Sequence, residues 1–280
     1  SGKDTSGLSS INSQGVSPAV TGNYAVTGRA VSGYSISYGP QSGPLSDGGS
    51  LTLKVIYTRD TGSLNVITEK AGGGTLPTGS GWDLTTKPGD FTGTPSGKDT
   101  GGLGSGDNQG VSPAVTGDYA VTGRAVTGYT ITYSPQNGTL SKGSSLTLKV
   151  IYNRDYGEAL NVITERTGGG NLPTGSGWDL TTKPGDFSGS PSGKNTSGLA
   201  SGDNQLISPA ETGDYGVTGR AVTGWTISYG PQSGSLSKGG GLTLKVIYTR
   251  DTGRLNVITE LTGGGNLPTG SGWDLTTTPS

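Results

Sequence analysis

Cysteine, histidine and methionine are all absent from these 280 residues. Without cysteine there are no disulfides and no thiol chemistry, although an extracellular address stays open. Without imidazole or thiolate, every zinc site built on Cys or His is excluded. A nucleophile–base–orienter set has no His or Cys to draw on, so an enzyme is the least expected class. Apolar residues make up only 28%, and no stretch approaches the roughly 20 apolar residues of a membrane-spanning helix. Net charge is −1 with no basic run, which gives no footing for a nucleic-acid surface.

Glycine is what the chain has in quantity: 55, alongside 15 prolines. In isolation that balance favours disorder. The glycines, however, recur at fixed places between alternating apolar segments, as turn punctuation should. Ser1-Gly2-Lys3-Asp4 returns as Ser96 to Asp99 and, with Asn in the last place, as Ser192 to Asn195, so the repeats run 1–95, 96–191 and 192–280. Such a period is too long for a solenoid coil or propeller blade and suits a small autonomous domain of about 100 residues. No amphipathic helical window is evident. The expected fold is all-β: three tandem antiparallel immunoglobulin-like β-sandwich domains. The chain begins at Ser1, as a processed product or an excised piece would.

The most strongly patterned stretch is Leu51 to Glu69, which returns as Leu146 to Glu165 and Leu242 to Glu260. Leu51, Leu53, Val55 and Tyr57 alternate with polar residues, the period of a strand with one buried face. Asp60-Thr61-Gly62 offers turn chemistry, and Leu64 to Glu69 resumes the alternation, so the stretch reads as a β-hairpin. Its register follows from charge: Lys54 faces Glu69, Lys149 faces Glu165 and Lys245 faces Glu260. Leu53, Val55, Tyr57, Val66 and Ile36 are the expected core.

Gly128 to Tyr152 reads GYTITYSPQNGTLSKGSSLTLKVIY, and Gly33 to Tyr57 carries the same pattern. In this it resembles bacterial surface proteins built from tandem immunoglobulin-like sandwiches. The resemblance implies an extracellular or cell-surface location and a role in stalks, adhesins or filaments. Lys54 and Asn65 also match the residue types that some such sandwiches join through an isopeptide bond, with a neighbouring acid such as Glu69 assisting. Their place on the polar face argues instead for an ion pair, because the bond requires a buried, neutral amine.

Trp82, Trp178 and Trp273 each sit in Gly-Trp-Asp-Leu and are either core residues or a sugar-stacking platform. Burial is favoured, because a chain this poor in apolar residues needs its large ones inside. Asn137 and Asn195 head N-glycosylation sequons, at different places in different copies. Asp107-Asn108 and Asp203-Asn204 offer oxygen ligands to a cation, but the first copy has Asn12-Ser13 there, so no shared metal site and no cofactor is expected. The leading expectation is a structural stalk or filament subunit that self-associates through strand edges and connectors such as Asp90 to Thr94. The competing one is a carbohydrate-binding array acting on surface glycans with added avidity.

Overall fold

The computed structural model describes residues 2–276. It is all-β, with no helix among the described residues, and it divides into two compact units at Asp155/Tyr156.

The first unit holds one closed sandwich of eight strands: β5 (Thr61–Lys70), β6 (Gly81–Thr86), β7 (Gly97–Asp99), β8 (Asp107–Val115), β9 (Gly117–Gly123), β10 (Tyr129–Tyr133), β11 (Asn137–Leu140) and β12 (Ser145–Arg154). Ahead of it lie the short strands β1 (Gly22–Ala25), β2 (Tyr34–Tyr38), β3 (Ser42–Leu45) and β4 (Val55–Arg59), which form only two isolated pairs, β1 with β3 and β2 with β4. The sheets of the sandwich run β10-β12-β5-β8 and β11-β9-β6-β7. Alternation decides their inner faces. Leu64, Val66 and Thr68 of β5 are buried while Asn65, Ile67 and Glu69 are half-exposed. The shared core joins Leu64, Val66, Leu148, Val150 and Tyr152 from one sheet to Trp82, Tyr119, Val121 and Leu140 from the other. The sheets approach closely at Gly123, where a Cβ would lie 2.6 Å from Val150 Cγ1.

The second unit repeats this sandwich with β13 (Ala159–Arg166), β14 (Gly177–Thr182), β15 (Gly193–Asn195), β16 (Asp203–Ile207), β17 (Gly213–Gly219), β18 (Trp225–Tyr229), β19 (Ser233–Leu236) and β20 (Gly241–Arg250). Its sheets run β16-β13-β20-β18 and β15-β14-β17-β19 around an equivalent core. Residues 251–276 follow without a strand.

Two expectations need correction. The closed sandwiches span 61–154 and 159–250, out of phase with the repeats at 1–95, 96–191 and 192–280. The hairpin does not form either: β4 pairs with β2, while β5 pairs antiparallel with β8 and parallel with β12. Asp60 is the only residue between β4 and β5, so the chain runs straight from one strand into the next without a turn. Alternation and charge establish which face a residue takes. In a repeat, though, they are equally satisfied by a strand of the neighbouring copy.

Candidate assembly site

The chemistry of this chain concentrates on the seam where one repeat meets the next. Each closed sandwich takes its first two strands from one repeat and its other six from the following repeat. The two donated strands are central: β5 lies between β12 and β8, and β6 lies between β9 and β7. Between them, Gly72, Gly73 and Gly74 take φ of 83°, 80° and 80°. Three consecutive residues in the left-handed region explain why the bend is spelled as three glycines.

Specific contacts fix the donor. Lys149 Nζ lies 2.8 Å from Glu69 Oε1, and Lys245 Nζ lies 2.8 Å from Glu165 Oε1. These replace the expected Lys149–Glu165 and Lys245–Glu260 pairs. Neither Lys54 nor Glu260 has an ion-pair partner among the described residues. Arg124 forms a two-pronged pair with Asp83 at 3.0 Å, and Arg220 repeats it with Asp179. Each arginine holds its partner's carboxyl below the usual range, through hydrogen bonding and charge. The buried Tyr152 hydroxyl donates towards Gly81 O and Arg124 O, each at 2.8 Å, and accepts from Gly81 N at 3.0 Å. Tyr248 does the same with Gly177 and Arg220. Burial raises both phenols above their ordinary value.

Without a donor, residues 2–59 remain partly paired. In the closed sandwich, Gly117–Ala120 pair with β11 and Val121–Gly123 pair with β6. The matching β1 stops at Ala25, so only the first portion forms a strand. Likewise β12 pairs with β10 over Val150–Arg154 and Lys149 bonds Ser134 and Pro135 beyond it, whereas Ser145–Leu148 have only β5. The matching β4 covers only Val55–Arg59. The counterparts of β7 and β8, both bordered by donor strands, have no strand at all. Core positions show the same deficit. Val66 is buried as expected, but Ile36, Leu53 and Val55 are only half-buried and Tyr57 is 40% exposed, against 0% for its counterpart Tyr152.

The tryptophans divide in the same way. Trp82 and Trp178 are 0% exposed, so neither can stack on a sugar; Trp273 is 56% exposed. The Trp82 and Trp178 indole Nε1 have no hydrogen-bond partner among the described residues. Asn137 and Asn195 are exposed, and Asn195 Oδ1 accepts from Ser197 N and Oγ, much as Asp4 Oδ1 accepts from Ser6. Asp107 and Asp203 bind Lys98 and Lys194 at 2.9 and 2.8 Å, and no cluster suited to a metal occurs among the described residues. Of the three isopeptide candidates, Glu69 forms an ordinary ion pair with Lys149, both side chains about one-third exposed, and Asn65 lies opposite Thr147, not Lys54. The connectors are not free edges. Phe91 packs edge-on against Tyr119 at 5.8 Å, and Thr94 exchanges backbone hydrogen bonds with Ser112 inside the first sandwich. Sequence reasoning missed the donor role of Leu64 to Leu84, because its apolar stripe suits the core of either repeat equally well.

No family model and no curated protein matches the sequence. Among solved structures, the chain is similar to the Bacillus anthracis TIE protein, with 13% identity, a TM-score of 0.40, and coverage of 83% of this chain and 44% of that one. It therefore spans less than half of that protein's length. It is also similar to the major pilin protein T-13 from Streptococcus pyogenes, with 11% identity, a TM-score of 0.37, and coverage of 69% and 97%. A third likeness is the pilus adhesin of Lactobacillus rhamnosus GG, with 13% identity, a TM-score of 0.39, and coverage of 80% and 35%. At these TM-scores the likenesses bear no weight on function, and the seam geometry stands by itself.

Proposed function

We propose that this chain is a load-bearing structural protein of the bacterial cell surface, a non-enzymatic tandem-sandwich stalk or filament subunit. One observation carries the reading. In each sandwich the first and last strands lie side by side and parallel, from Ser145 beside Ser63 to Tyr152 beside Lys70, and from Gly241 beside Ala159 to Tyr248 beside Arg166. Tension on the chain enters at one of these strands and leaves at the other. The hydrogen bonds between them lie across the pull and load together in shear, instead of opening one at a time. The cell-surface location is supported by the resemblance of Gly128 to Tyr152 to tandem surface sandwiches. The glycan-binding array loses two of its three tryptophans to the core.

Single-molecule stretching of the full chain between its ends tests this. The expected trace has two similar high-force peaks, one per closed sandwich. Extension without resolved peaks would overturn the load-bearing reading.

A further inference from the structure

We propose that residues 252–276 of one copy of this chain insert into residues 2–59 of a second copy, completing a third sandwich and joining chains head to tail. The proposal deepens the filament reading above by assigning the junction between subunits.

The segment 252–276 has the sequence of a donor and forms no strand among the described residues. Leu255, Val257, Leu267, Trp273 and Leu275 occupy the positions of Leu160, Val162, Leu172, Trp178 and Leu180. Those five are at most 8% exposed, whereas the unpaired set ranges from 41% to 67%. The glycine bend is nonetheless in place, with φ of 95°, 75° and 96° at Gly263, Gly264 and Gly265. Five exposed apolar side chains on one segment, matching the buried face of two existing donors, call for an apolar cleft.

Residues 2–59 supply that cleft with matching polar ends. Lys54 stands where Lys149 and Lys245 bind a donor glutamate, and Glu260 is the third glutamate of that series. Arg29 stands where Arg124 and Arg220 grip a donor aspartate, and Asp274 is the third aspartate. The Tyr57 hydroxyl already donates to Arg29 O at 3.0 Å, the bond its own repeat supplies. Its missing bonds are those to the donor glycine, which Gly272 would provide. Val26–Gly28 and Ser50–Leu53, which lie outside any strand, match stretches that a donor pairs with in the closed sandwiches. One contact has no equivalent: Asn12 replaces the carboxylate of Asp107 and Asp203.

A donor cannot serve the repeat it trails. Parallel insertion beside the preceding strand requires the chain to return along that strand's length, about 33 Å for ten residues. Asp155 to Glu158 reach roughly 14 Å at most. Acceptor and donor are thus different surfaces, formed by residues 2–59 and 252–276. A contact of that kind propagates into an open array unless the ends of a chain meet.

The test uses introduced cysteines in the otherwise cysteine-free full chain. Thr147 and Asn65 are direct partners across the parallel pair, so Thr52 and Asn256 take those places at the junction. Mild oxidation of Thr52→Cys/Asn256→Cys should give a reducible ladder in steps of 28.0 kDa. Adding Val257→Asp, at a site outside both closed sandwiches, should remove the ladder. An out-of-register pair, Thr58→Cys/Asn256→Cys, should not produce one. Unmodified protein should grow in light-scattering mass with concentration. A mass fixed at 28.0 kDa without a ladder, a single chain locked to itself, or equal cross-linking by the mismatched pair would each overturn the proposal. Two force peaks without a ladder would leave the load-bearing reading standing and remove the junction. A ladder without force resistance would leave the junction standing and remove the load-bearing reading.

Discussion

Glu69 Oε1 sits 2.8 Å from Lys149 Nζ, so a glutamate of the first repeat neutralises a lysine of the second. The same relationship joins Glu165 to Lys245 at 2.8 Å. Both pairs lie on the outer face beside a parallel strand pair, and they identify which copy each donor serves.

A charge-reversal cycle reads this choice directly. Glu69→Lys and Lys149→Glu should each destabilise the first sandwich by no more than about 1 kcal/mol, as for half-exposed pairs, and the double variant should recover most of the loss. Lys149→Glu combined with Glu165→Lys should show no recovery. Denaturant midpoints measure both, and coupling in the second combination would restore the hairpin register.

Much of the fold is legible in the residues. Alternation locates the strands, and it puts Leu64, Val66 and Tyr57 on apolar faces, as the closed sandwiches confirm for the buried members. The partner of each strand is not legible. Three near-identical copies present the same lysines, glutamates and apolar stripes, so local chemistry leaves the pairing free to shift by a whole repeat. The deciding facts are geometric: Asp60 alone separates β4 from β5, and the first and last strands of a sandwich run parallel.

Trp178 separates packing from hydrogen bonding. Its ring is fully buried and its Nε1 has no partner among the described residues. Trp178→Ala should cost the second sandwich about 3–5 kcal/mol. Trp178→Phe should cost much less, because it also removes an unsatisfied polar group. Trp273→Ala, on the exposed counterpart, should leave both closed sandwiches unchanged in dilute solution. Denaturant unfolding distinguishes the three.

Acid should weaken the Asp83–Arg124 and Asp179–Arg220 clamps. Both aspartates are held below their ordinary pKa of 3.8, chiefly by hydrogen bonds from the arginines. A depressed carboxylate stabilises the fold above its unfolded pKa, and that contribution disappears as pH falls through the folded value. Stability measured from pH 6 downwards should therefore fall below about pH 4, and Asp83→Asn should flatten part of the decline. The effect is small because both carboxylates are about half exposed.

Amide hydrogen exchange at low concentration should follow the pairing. Val26 and Lys54 amides already bond Gln41 O and Pro40 O, but while the amides of β5, β6, β12, β13, β14 and β20 should be protected, those of Thr27, Ser50–Leu53 and residues 252–260 should exchange quickly. At concentrations that permit assembly, protection should spread to all three of the latter stretches together. Early protection of Ser50–Leu53 in a dilute monomer would contradict the open acceptor.

The central claim is that a folding unit begins at a donor strand and ends at the strand before the next donor. Two excised chains, 60–155 and 96–191, test it most directly under identical conditions. Residues 60–155 should give a monomer that unfolds cooperatively, because both donated strands and all six acceptor strands are present. Residues 96–191 hold six acceptor strands followed by a donor that cannot turn back, so they should fail to fold as a monomer and should associate. A cooperative monomer from 96–191, with 60–155 unfolded, would contradict the account.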